Sequence, residues 1–165
     1  MSRRERTGWR DEALSRRHRL WGVNCPIVDI DWMVVEYENS RPKAIIDYKH
    51  HRLGSADLDD PNVRALAALA NRAPPIPFML VWYWENPWAF YVYPVNEAAQ
   101  AIYLPNLRSL SERRFVESIH HLRGFVAEKR VLRRLCDASP PAALPKIYGG
   151  KDSPFGRCIP SLRRP

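Results

Sequence analysis

No apolar run in the chain approaches the roughly 20 residues that a membrane-crossing helix needs. The amino-terminal stretch MSRRERTGWRDE is charged and has no apolar segment behind it, so no secretory signal is expected there. Cysteine is scarce. Cys25, Cys136 and Cys158 are odd in number and lack C-x-x-C spacing, so neither a disulfide framework nor a zinc knuckle follows. Reduced thiols in a cytosolic-type compartment are the expectation. No internal repeat is visible. Acidic residues are in deficit, 18 against 26 lysines and arginines, which leaves a net charge of +8. That balance favours a polyanionic partner, nucleic acid or an anionic surface. With 165 residues and 45% hydrophobic content, the chain is long enough to bury one core without staples.

Residues 9–21, WRDEALSRRHRLW, read as a basic amphipathic helix. CPIVDIDWMVVEY (25–37) is rich in β-branched residues and reads as a strand. ENSR has turn chemistry, and Pro42 excludes itself from a central ladder position. KAIIDYK returns the chain, so residues 27–49 are expected to form a β-hairpin. Asp60-Pro61 places an acid at a helix N-cap and proline at the first helical position, which predicts a helix over 61–72. FMLVWYW (78–84) is apolar on both faces and WAFYVYPV (88–95) follows a turn, so both read as strands.

Ser109-x-x-Glu112 is a capping-box pattern ahead of an expected helix at 110–123. Gly124 is placed to end or kink it before a basic helical stretch, FVAEKRVLRRL. The expected fold is α/β: a mixed sheet of four or five strands flanked by helices, the 43–84 unit being a parallel crossover. Residues 1–137 are expected to form one domain with C-terminal helices. Residues 138–165 form a Pro-rich basic tail, extended or disordered.

The chemistry gathers on the hairpin. Side chains alternate along a strand, so Asp29 and Asp31 share one face and Asp47 and Lys49 share one face of the partner strand. A turn centred near residues 39 and 40 sets Asp31 beside Asp47 and Lys49, with Asp29 one step farther out. Neighbouring carboxylates repel unless a cation lies between them or one keeps its proton. Hard oxygen donors of this kind suit Mg²⁺ or Mn²⁺. An adjacent lysine is suited to orient water and to offset phosphate charge.

The run PIVDIDWMVVEYENSRPKAIIDYKHH resembles the core of the PD-(D/E)xK, restriction-endonuclease-like, nuclease superfamily. The resemblance spans roughly residues 9–95. It implies a Mg²⁺- or Mn²⁺-dependent hydrolase of DNA phosphodiesters, expected to be an endonuclease. Asp31 would be the first metal ligand, Asp47 the second and Lys49 the catalytic lysine. The Tyr48 backbone carbonyl is a further candidate contact to metal, and Glu12, on the first helix, a further candidate acid. Two features depart from the pattern. Asp47 stands where Glu is commoner, and Pro26 lies three residues before Asp29, so the choice between Asp29 and Asp31 stays open, with Asp31 favoured.

Other residues have an ordinary reading beside the functional one. His50 and His51 follow the lysine and are placed to touch phosphate, although loop histidines are the commoner case. The aromatics of 82–93 are read as core, apart from Trp84 and Trp88 near the turn. Arg16, Arg17, Lys129, Arg130, Arg133 and Arg134 are solvated faces or contacts to a DNA backbone. Two other functions compete: a non-catalytic nucleic-acid-binding domain that keeps the nuclease fold, and an α/β protein-interaction module with a recruiting tail. No membrane partner is expected, and a homodimer stays open. The expected location is intracellular and cytoplasmic, with a phage or prophage origin compatible.

Overall fold

The computed structural model describes residues 30–36, 38–53, 56–85, 87–103 and 109–138, together with Arg17. Five strands form one mixed sheet in the order β1 (Trp32–Glu36), β2 (Arg41–His50), β3 (Phe78–Glu85), β4 (Trp88–Pro94) and β5 (Ser109–Ser111). β1 and β2 are antiparallel, β2 and β3 parallel, and the remaining pairs antiparallel. The parallel step is bridged by α1 (Pro61–Ala70), as the crossover reading requires. Three further helices follow: α2 (Glu97–Tyr103), α3 (Glu112–Leu122) and α4 (Lys129–Ala138). Among the described residues no helix is long and apolar enough to cross a membrane.

Strand alternation splits the core in two. On one face Ile45, Phe78, Leu80 and Trp82 pack against Val63, Leu66 and Ala70 of α1. On the other, Ile46, Met79, Val81 and Val92 pack against α2 through Ala99 and against α3 through Phe115. β2 and β3 are covered on both faces, which is why their sequences are nearly continuous apolar runs. The hairpin turn is held by Glu36, whose carboxylate accepts the backbone N–H of Glu38 at 2.6 Å and the Asn39 side-chain amide at 2.9 Å. Ser40 takes the left-handed conformation, with φ of 54°. Pro42 faces Val35 at a register shift, and the ladder to β3 begins only at Ile45, so its missing N–H costs no central bond.

Several boundaries differ from the sequence reading. β1 starts at Trp32; residues 27–29, like the expected helix at 9–21 apart from exposed, helical Arg17, lie outside the described residues. α1 ends at Ala70 and is capped as expected, Asp60 Oδ1 accepting the Asn62 N–H at 2.7 Å. The capping box at Ser109 does not form, because Ser109 is taken up by β5 opposite Tyr91. Ser111 caps α3 instead, its Oγ accepting the Arg114 N–H at 3.4 Å. Gly124, with φ of 79°, ends α3, and the next helix starts at Lys129 rather than Phe125. α2 and β5 were not expected. The signal for α2 is Asn96, whose buried Oδ1 accepts the N–H groups of Ala99 at 3.1 Å and Phe78 at 3.0 Å. The tail from 139 onward lies outside the described residues.

Candidate functional site

β2 carries the candidate site in its C-terminal half, on the rungs that it shares with Leu80 and Trp82 of β3. Ile45, Asp47 and Lys49 alternate onto the α1 face, while Ala44, Ile46 and Tyr48 point to the other. Asp47 is paired with Leu80 of β3 and is only 7% exposed. A buried carboxylate needs a partner, and Lys49 supplies one: its Nζ lies 2.9 Å from Asp47 Oδ1. The lysine side chain remains one-third exposed, at 32%. The pair therefore lies at the border between core and solvent.

Asp31 arrives from the other strand. Trp32 faces Ile46 and Met33 faces Ile45, so the same register continued by one residue sets Asp31 opposite Asp47. Its Oδ2 accepts the Tyr48 N–H at 3.2 Å, which ties the acid to β2. The residue as a whole is exposed, yet its carboxyl turns inward and loses water. That desolvation raises its pKa, and so do the Asp47 charge and a hydrogen bond shared with Asp47; the Tyr48 N–H and Lys49 pull it down, but less strongly. Two acids and one lysine thus form a locally overcharged cluster in which the second carboxylate is disfavoured without a further cation.

Tyr48 divides its roles between side chain and backbone. Its ring lies on the opposite face, edge-on to Trp32, Tyr83 and Phe115, and burial pushes its phenol pKa well above the ordinary value. The phenol is a core group and no proton donor to the acid cluster. The N–H points to β1, and in an extended strand a residue's carbonyl projects to that same edge. Two carboxylates and this carbonyl are hard oxygen donors of the kind that Mg²⁺ or Mn²⁺ takes. The fit to a cation lies in the geometry: Asp31, tied to β2 by the Tyr48 N–H, stands beside Asp47. Among the described residues no three His, Cys, Asp or Glu side chains gather into a larger cluster.

The two histidine rings lie 4.4 Å apart, but their other contacts are on different faces of the sheet. His50 turns to the α3 face, where its ring meets Tyr83 edge-on at 5.2 Å and its Nδ1 accepts the Arg52 N–H. His51 lies flat against Trp84 at 5.6 Å, on the side of Lys49 and Asp47. Sequence reasoning named Trp84 only as a possible exception to the core. Its pairing with His51 depends on the parallel register of β2 and β3, which no local signal reveals.

The cations are farther off. Lys129, Arg130, Arg133 and Arg134 are all exposed on α4, with spacing that puts them on one side of the helix. α4 packs on α3, which covers the sheet face opposite Asp47 and Lys49. Glu12, Arg16 and Asp29 lie outside the described residues. No protein-family model matches the chain, and no curated protein or solved structure shows significant similarity to it.

Proposed function

We propose that the chain is a divalent-metal-dependent nuclease that hydrolyses DNA phosphodiesters, built on a restriction-endonuclease-like core. One observation carries the reading. Asp31 and Asp47, from two strands, meet beside Lys49 at the end of β2, and the Asp31 carboxyl resists ionising there. A purely structural ion pair needs one acid. The second acid raises the cost of the site and is explained by a cation that both carboxylates hold.

In this reading Asp31, Asp47 and the Tyr48 carbonyl hold Mg²⁺ or Mn²⁺, which supplies Lewis-acid polarisation of the phosphate when bound. Lys49 is the partly exposed donor of the group. Its ammonium, on the same face as the two acids, would meet a non-bridging phosphate oxygen, where negative charge grows in the transition state. Water attacks phosphorus and gives one proton to solvent, the bond to one bridging oxygen breaks, and the leaving oxygen takes one proton from solvent. The net charge of +8 supports a polyanionic substrate.

A second reading is a DNA-binding domain that keeps the arrangement without turnover. The closed Lys49–Asp47 ion pair at 2.9 Å favours it, since it holds the ammonium against Asp47 and takes up one of its three N–H donors. Nicking of supercoiled plasmid with Mg²⁺ and with EDTA decides. Mg²⁺-dependent nicking that Asp47→Asn abolishes supports the nuclease. Salt-dependent binding without any nicking supports the second reading.

A further inference from the structure

We infer that His51, clamped against Trp84, is a phosphate-binding residue that holds the DNA backbone one nucleotide away from the reacting phosphodiester. The inference rests on the nuclease reading and adds to it a position for the strand. Lys49 pairs with Trp82 across the parallel ladder, and Trp84 is the next residue of β3 on that face. His51 stacks on Trp84 with ring planes 17° apart, so it stands one rung beyond Lys49 on the same side of the sheet. Two residues of strand cover about 6.6 Å, a step comparable to the separation of successive phosphates along a strand.

The two ring nitrogens of His51 stand in different surroundings. Nδ1 is buried and has no hydrogen-bond partner. Buried there, that nitrogen is closed to a ligand. Nε2 is not among the buried unpaired atoms, and it is the nitrogen left to meet a ligand. The stack on Trp84 fixes the ring plane, so an N–H at Nε2 would be an oriented donor without the rotamer freedom of a lysine. A phosphodiester oxygen is the acceptor that this position suits: anionic, repeated at the spacing of the rungs, and attracted to the site by Lys49. A structural histidine would be expected to use Nδ1, the nitrogen it buries.

The test compares His51→Gln, whose amide nitrogen reaches the place of Nε2, with His51→Asn, whose amide reaches only that of Nδ1, and with His51→Ala. Nicking of supercoiled plasmid in Mg²⁺ gives KM and kcat, with thermal melting as the check on folding. The expected result is a KM raised about tenfold in His51→Ala and His51→Asn, kcat little changed, and His51→Gln near wild type. Equal KM for all four proteins, or a His51→Gln loss equal to that of His51→Asn, overturns the inference while the nuclease reading stands. Absence of nicking by wild type in Mg²⁺ or Mn²⁺ overturns both.

Discussion

Asp31 and Tyr48 are joined across the hairpin: a carboxylate oxygen on one side accepts a backbone N–H on the other at 3.2 Å. The bond takes an acid that would otherwise point into water and holds it beside a second acid, Asp47. Its cost and its use come from the same geometry: lost water first, and then the Asp47 charge, raise the Asp31 pKa, and a divalent cation would offset that penalty.

Asp31→Asn is therefore expected to raise the melting temperature of the metal-free protein at neutral pH. The amide oxygen still accepts from Tyr48, and the Lys49–Asp47 pair is kept. The sign of the pH dependence is set by a folded pKa above the unfolded 3.8. The penalty is fully present above the folded pKa and disappears as pH falls through it. The gap between variant and wild type narrows on acidification, and Mg²⁺ raises the melting temperature of wild type but not of the variant. Melting curves from pH 7 to pH 4, with and without Mg²⁺, check this. A wild type more stable than the variant in EDTA at pH 7 would contradict it.

Asp47→Asn removes the same repulsion but also breaks the 2.9 Å pair with Lys49, so its stability gain is expected to be smaller than that of Asp31→Asn. Its cleavage rate is expected to fall by about 10²–10³ or more, the scale of a lost transition-state electrostatic interaction. Side-by-side melting and plasmid nicking test both statements.

Lys49→Ala leaves both carboxylates and the Tyr48 carbonyl in place. The Mg²⁺-induced rise in melting temperature is expected to persist while nicking falls by about 10²-fold or more. Loss of the metal response together with activity would place the lysine in metal binding and count against its proposed role.

Glu36 supplies a pH control remote from the acid pair. Its pKa lies below the ordinary 4.5, chiefly through the Asn39 side-chain amide and then the N–H groups of Glu38 and Asn39. A depressed carboxyl contributes stability that is present above the unfolded value and lost as pH falls through the folded one. Glu36→Gln is expected to lower the melting temperature at neutral pH and to match wild type in strong acid.

Asn96 is buried between α1, β3 and α2, where it accepts from Phe78 and Ala99 and donates to Asn71 Oδ1 and the Ile76 carbonyl. Asn96→Ala leaves the buried Phe78 N–H without its acceptor, which alone costs about 1–3 kcal/mol. Urea unfolding measures the loss. A change under 0.5 kcal/mol, the scale of ordinary surface substitutions, would show that water or a neighbour replaces the amide.

The sequence by itself determined what local chemistry decides. Alternation placed Asp47 and Lys49 on one face, the 38–41 turn closed the hairpin, and Asp60-Pro61 started the crossover helix; the register shift at Val35 and Pro42 then decided which residue faces Asp47. Each rests on a few consecutive residues and on steric rules that act at that range. Tertiary structure decided the rest. Ser109 lost its cap because β4 offers a ladder edge opposite Tyr91, and a strand pairing outweighs a local capping pattern. Trp84 met His51 because the crossover sets β3 in register with β2. The basic stripe of α4 came to lie over α3, on the face away from the acids, because Phe115 packs α3 against Phe90 and Tyr48 there. The Asp31 pKa rose because packing brought one charge near another and removed water. All of these are contacts between segments far apart in the chain. They depend on which surfaces are buried together, and no local pattern carries that information.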